Sequence, residues 1–291
     1  MKKILSLVLC TIMIAGCLVG MTSCGNKVKI GVQSGTTGEL YLKGNADMLF
    51  EGYDNIKCMP YDAGGLAVKA MIDKQIDYVI IDNEPAKQLV NQNPEIKMID
   101  IALSAEEYAF GVDKNQAELL ASVNQILAEI KADGTLDAIF EKYSGLTYDE
   151  DGNVTGGDEN IEGITSATKN NDNPAGQLVV ATNAAFAPYE YKKGDKFVGI
   201  DMDIAKIIAD RLDLELVIEN MDFEAVVTSV GKNNIDIAMA GLSVTATRKQ
   251  SVNFSDVYYS GAYQVILVLK ENTEFDNCKT KADIEAILKT K

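Results

Sequence analysis

A chain of 291 residues with 47% apolar side chains has length for one or two domains and material for a substantial core. Its formal charge of -16 argues against nucleic acid as a partner, because phosphates demand a basic face. It contains no histidine, which removes Ser-His-Asp and Cys-His catalytic pairs and any histidine metal site; without a Walker loop or a Gly-x-Gly-x-x-Gly fingerprint, no metal or other cofactor is expected.

The chain opens MKKILSLVLCTIMIAGCLVGMTSC, two lysines followed by an apolar run. This is the layout of a secretory signal over residues 1–23. A retained transmembrane anchor is the alternative, since the run is close to spanning length. Short apolar runs at 28–32, 76–81, 178–182 and 235–240 suit parallel strands buried on both faces, and helical patterns such as 63–72 and 202–212 lie between them. Alternating strands and helices predict an α/β protein, in which ligands collect at the carboxyl ends of the strands.

Along the chain, Ser34-Gly35-Thr36-Thr37-Gly38 follows the first strand and opens a helix, whose unpaired amides can receive an anion; a Thr-capped helix is the plainer reading. Asp82 closes the run IDYVIID at a strand's carboxyl end, where burying a carboxylate without a cation would be costly, although it also suits a helix N-cap. Residues 144–176, rich in Gly, Asn, Asp and Thr, predict a solvated linker. Asp149, Asp151, Gly152 and Asn153 within it lack the later acidic ligand of a calcium loop. In DIAMAGLSVTATRKQSVNFSDVYY, residues 236–259, Arg248 follows a strand and a Gly-Leu-Ser turn. Its guanidinium fork fits a carboxylate, and Ser243 adds a hydroxyl from the same loop. Cys58 and Cys278 are either a disulfide permitted by export or free buried thiols.

The stretch LVVATNAAFAPYEYKKGDKFVGIDMDIA, starting at Leu178, together with Asp236-Ile237-Ala238, Thr245 to Arg248, Phe254-Ser255 and Tyr258-Tyr259, resembles the first lobe of bacterial extracellular solute-binding proteins for polar amino acids, the receptors of ABC importers. KIGVQSGTTGE at 29–39, IDKQIDYVIIDNEPA at 72–86 and EEYAFGVDKN at 106–115 resemble that family's second lobe, and FEKY at 140–143 its C-terminus. The second lobe therefore precedes the first. The resemblance, covering 28–143 and 177–291, implies a two-lobed, type II periplasmic-binding-protein-like fold with a hinge, circularly permuted. Lobe two is expected from 28–107 plus 271–291, lobe one from 115–143 plus 177–262, and hinge strands at 108–114 and 263–270. The segment 144–176 would join the ancestral termini, giving a monomer, with a swapped dimer as the alternative.

The resemblance further implies a ligand-binding set. Arg248 and Ser243 would hold the carboxylate of an amino acid from one side, and Gly35, Thr36 and Thr37 from the other. Asp82 would take the ammonium, aided by Asn183 and the Gly241 carbonyl. Phe186 and Phe223 would flank the side chain, unless they are simply core. Asn183 stands where many relatives carry aspartate, which favours a neutral or polar side chain. Bacterial lipoprotein signals imply a lipidated cysteine. Ile14-Ala15-Gly16-Cys17 is the better lipobox, but cleavage there would leave Leu18 to Met21 in the mature tail, so Cys24 is favoured and Cys17 is the alternative. The implied protein is a non-enzymatic receptor, lipid-anchored on the extracellular face of the cell membrane, that closes around its ligand and serves ABC permease subunits. A cyclohexadienyl-dehydratase-like enzyme using carboxylates such as Asp82 or Glu190, and a ligand-sensing module, are the alternatives.

Overall fold

The computed structural model describes residues 27–144, 161–171 and 174–291, with the short strands Thr147–Tyr148 and Val154–Gly156. The expected signal segment, Cys17 and Cys24 lie outside the described residues. The first sheet begins with β1 (Lys29–Gln33), α1 (Thr37–Lys43), β2 (Lys57–Tyr61), α2 (Gly64–Ile72), β3 (Tyr78–Asp82), α3 (Asn83–Gln92) and β4 (Ile96–Ile99). Every residue of β3 is buried. Val79 and Ile81 enter one apolar cluster while Tyr78 and Ile80 enter another, as the alternation of side chains across a strand requires when both faces are covered.

The chain then crosses through β5 (Glu106–Tyr108) and builds a second sheet around β6 (Gly111–Asp113). Helices α4 (Ala117–Ala132) and α5 (Thr135–Lys142) follow, then the small hairpin of β7 (Thr147–Tyr148) and β8 (Val154–Gly156). The second sheet continues with β9 (Gln177–Thr182), a three-stranded flap of β10 (Ala185–Phe186), β11 (Glu190–Lys193) and β12 (Lys196–Val198), and α6 (Ile200–Arg211). Next come β13 (Glu215–Asn220), α7 (Phe223–Ser229), β14 (Ile237–Ala238), α8 (Ala246–Lys249) and β15 (Val252–Phe254). The return crossing is β16 (Tyr259–Ala262), after which β17 (Gln264–Leu269) and α9 (Lys281–Lys289) finish the lobe that β1 began.

The sheet orders are β2-β1-β3-β17-β4 and β13-β9-β14-β6-β15. In each lobe the pairs made by the βα units, β1 with β2 and β3, and β9 with β13 and β14, are parallel, while the strands that enter from the crossings, β17 and β6, pair antiparallel. The result is a two-lobed α/β fold whose lobes are joined by the antiparallel ribbon of β5 and β16.

Three expectations need correction. Residues 263–270 are not a hinge: β17 is an interior strand between β3 and β4, and its Gln264, Val265, Ile266, Leu267 and Val268 are buried. Likewise Gly111–Asp113 belongs to the second sheet, so the crossings fall at β5 and β16. The later part of 144–176 is not a free linker either. Ile161 is buried, Ile164 bridges to Phe197, and the Ala167 N–H donates to the Leu216 carbonyl at 2.9 Å. Cys58 and Cys278 are both free.

Candidate functional site

The ends of β1, β3 and β14 and the crossing strand β5 converge between the lobes. After β1 the chain turns at Gly35, where φ is +75°, a left-handed conformation that glycine adopts without strain. After β14 it turns at Gly241, with φ +52°. A Cβ on Gly241 would lie 2.8 Å from the Phe186 ring, so the turn is both left-handed and closely packed. From this second turn α8 projects Arg248, whose own N–H is held by the Thr245 hydroxyl cap at 3.1 Å.

Arg248 spans the cleft. Its Nη1 donates to the Ser243 carbonyl at 2.8 Å and its Nη2 to the Gly35 carbonyl of the opposite lobe at 3.1 Å. Its Cζ stands 5.2 Å from the centre of the Phe223 ring, a cation–π contact. Burial lowers the guanidinium's pKa, and the negative charges of Glu106 and Asp82 oppose that shift.

The other predicted residues gather round it with partners of their own. Asp82 is the N-cap of α3 by position, yet its side chain makes no capping bond. It accepts from the Tyr108 hydroxyl at 2.5 Å instead. Burial, then the charge of Glu106, pushes its carboxyl up to about 7. Thr36 is the N-cap of α1, but its hydroxyl donates to the Gln33 carbonyl at 2.7 Å rather than capping. Of the expected anion cradle, the Gly35 N–H is taken by the Glu39 carboxylate at 2.7 Å. Asn183 joins the lobes, accepting from Gln33 Nε2 at 2.9 Å and donating to the Met221 carbonyl at 2.8 Å. Phe186 stacks on Tyr189, with ring centres 5.9 Å apart.

Four residues without an assigned role in the sequence reading complete the site. Glu106 is buried and accepts from the hydroxyls of Thr37 at 2.7 Å and Ser243 at 2.5 Å. Gln264 Nε2 lies 2.9 Å from Thr37 Oγ1 and 3.0 Å from Glu106 Oε1. Tyr108, fully buried, orients Asp82. Asp201, in the first turn of α6, accepts from the Gly241 N–H at 2.9 Å and from Tyr258 at 2.6 Å, holding the Gly241 turn from behind; burial pushes its carboxyl to about 7. The acidic first turn of α6 was the sequence signal for Asp201, since a helix N-terminus favours a negative charge. Neighbouring Glu190 is fully buried with no hydrogen-bond partner on either carboxyl oxygen. Burial, then the charges of Asp201 and Asp82, raise its pKa well above the usual carboxylate value. Among the described residues no group of three or more Cys, Asp or Glu side chains is placed to hold a metal ion.

Arg248 therefore bridges the two lobes within electrostatic reach of the buried Asp82 carboxyl. Residues 32–146 and 178–290 match the bacterial extracellular solute-binding proteins, family 3. The chain belongs to that family. Among curated relatives it is 36% identical over 90 residues to the arginine-binding extracellular protein ArtP of Bacillus subtilis, covering 31% of this chain and 35% of that protein. It is 33% identical over 89 residues to the lysine/arginine/ornithine-binding periplasmic protein of Escherichia coli, covering 30% and 34%. The matched stretches thus span about a third of these relatives' lengths. A solved ancestral arginine-binding protein bound to arginine is 14% identical over 90% of this chain and 91% of its own, with a TM-score of 0.41. No helix among the described residues is long and apolar enough to cross a membrane.

Proposed function

We propose that this protein is a receptor that captures an amino acid between its two lobes and presents it to the permease of an ABC importer. The observation that carries the reading is the meeting of Arg248, from one lobe, with the Gly35 turn of the other, beside the buried Asp82 carboxyl. A zwitterion offers the complement, a carboxylate for Arg248 and an ammonium for Asp82. Asn183, a neutral amide joining the lobes, supports a neutral or polar side chain. A second reading, a cationic side chain, is favoured by Glu106: with Asp82 it sets two buried carboxyls against the single guanidinium of Arg248. The ArtP and lysine/arginine/ornithine-binding relatives agree with that second reading. Binding without chemistry is the proposed activity. Residues 1–23 act as the signal and Cys24 carries the lipid on the outer face of the membrane. The lobe order is that of a permuted receptor, working as a monomer.

The test is a thermal-shift screen of the common amino acids on the native protein and on Arg248→Ala. A ligand at 100 times its Kd stabilises the fold by about 2.7 kcal/mol, and the variant, having lost one partner of a desolvated pair, should lose on the order of 2–5 kcal/mol of binding. Near-native affinity in the variant would remove Arg248 from the site. Conversion of prephenate or arogenate would transfer the protein to the dehydratase reading. Mass spectrometry of the mature N-terminus decides between lipid on Cys24 and on Cys17.

A further inference from the structure

Glu106 is tied to the same hydroxyls that the amino-acid reading assigns to the ligand. A hydroxyl has one proton to give. Thr37 Oγ1 accepts from Gln264 Nε2, and its proton goes to Glu106 Oε2; the proton of Ser243 goes to that same oxygen. On Oε1, Glu106 accepts from Ser104 Oγ at 2.6 Å and from Gln264 Nε2. Four donors converge on one buried carboxylate, and no ion pair among the described residues includes it, because Arg248 is occupied by two carbonyls. Hydrogen bonds to an ionised carboxylate are about twice as strong as neutral ones.

We infer that Glu106 is a resident competitor for the carboxylate seat. It holds the hydroxyl protons of Thr37, from one lobe, and Ser243, from the other, and a ligand obtains either proton only by taking it from Glu106. The residue thereby sets affinity downward, leaving Arg248 as the attraction that Glu106 does not share. This rests on the amino-acid reading, and it makes an unusual demand of a buried, fully bonded side chain: its neutral isostere should improve binding.

The experiment is titration calorimetry of the native chain, Glu106→Gln and Glu106→Asp with L-arginine and with L-glutamine as probes, each variant first checked by circular dichroism and urea melting. Glu106→Gln keeps the volume but weakens the acceptor and removes the charge, so L-glutamine should bind about tenfold tighter, an effect of about 1.4 kcal/mol, while L-arginine, whose side chain also loses an attracting carboxylate, should gain less. Glu106→Asp keeps the charge but withdraws it by one methylene, and should gain less; it also serves as the test if the glutamine variant does not fold. Unchanged or weaker binding in the folded variants overturns the competitor role, and makes Glu106 a support that only braces Thr37 and Ser243. If the native chain binds neither these probes nor any other common amino acid, the amino-acid reading fails first, and the competitor role falls with it.

Discussion

Asp82 and Asp201 are chemically alike and structurally opposed. Both are buried carboxyls pushed to about 7 chiefly by desolvation, and both accept from a tyrosine hydroxyl, Tyr108 and Tyr258 respectively. Asp201 spends its second oxygen on the backbone N–H of Gly241, inside one lobe. Asp82 sits at a strand end facing the other lobe, with Glu106 as a charged neighbour that raises its pKa further. On the proposed function, the difference separates a carboxyl that shapes a turn from one that would meet a ligand's cation.

The largest expected effects come from deleting each in turn. Asp82→Ala should cost binding on the order of 2–5 kcal/mol by calorimetry, with little loss in urea stability, because relief of its repulsion with Glu106 offsets the partner lost to Tyr108. Asp201→Ala strands a backbone N–H and a tyrosine hydroxyl, at about 1–3 kcal/mol each, so its main signature should be an earlier urea midpoint. Should Asp82→Ala unfold the protein while Asp201→Ala merely weakens binding, the two roles have been assigned the wrong way round.

A smaller effect concerns pH. Both groups give up their protons more readily in the unfolded chain than in the fold, so the folded state is favoured below about pH 4 and loses that contribution as pH rises toward about 7. Asp201→Asn keeps an acceptor for Gly241 without the ionisation. Its melting temperature should therefore improve relative to the native protein as pH is raised from about 5 to about 8. A constant difference across that range would mean that Asp201 does not titrate there.

The smallest effect adds a third carboxyl. Asn183→Asp retains the acceptor for Gln33 but loses the donor to the Met221 carbonyl. It should shift preference toward L-arginine over L-glutamine by about tenfold, close to 1.4 kcal/mol. Competition calorimetry that finds no change in the ratio would place the ligand side chain away from Asn183.

Much of this architecture was readable because it is local. The unbroken apolar run of β3 signals a strand covered on both faces, and the spacing from the Gly241 turn to Arg248 places a guanidinium at its strand's exit. What escaped is non-local. Glu106 meets Ser243 across 137 residues of chain, and nothing in the segment EEY marks the meeting. Residues 161–168 look like solvated linker in composition, but backbone donors and acceptors pair regardless of side chain, and this stretch bonds to Phe197 and Leu216. The hinge was misplaced for a related reason. A short crossing strand and the interior strand that follows it have similar compositions, and only the pairing of β17 with β3 and β4 separates them.

That pairing has a consequence for biosynthesis. One lobe, from β6 to β15, is continuous in the chain, whereas the other leaves the slot between β3 and β4 open until β17 arrives more than 160 residues after β4. Domains tend to fold as units in the order in which they are made. Here the later-made lobe is complete first, while the earlier-made one waits with the apolar edge of β3 unpaired, the kind of edge that invites pairing with another chain. Protease protection during synthesis should therefore appear first within residues 111–254 and only afterwards at the amino-terminal strands.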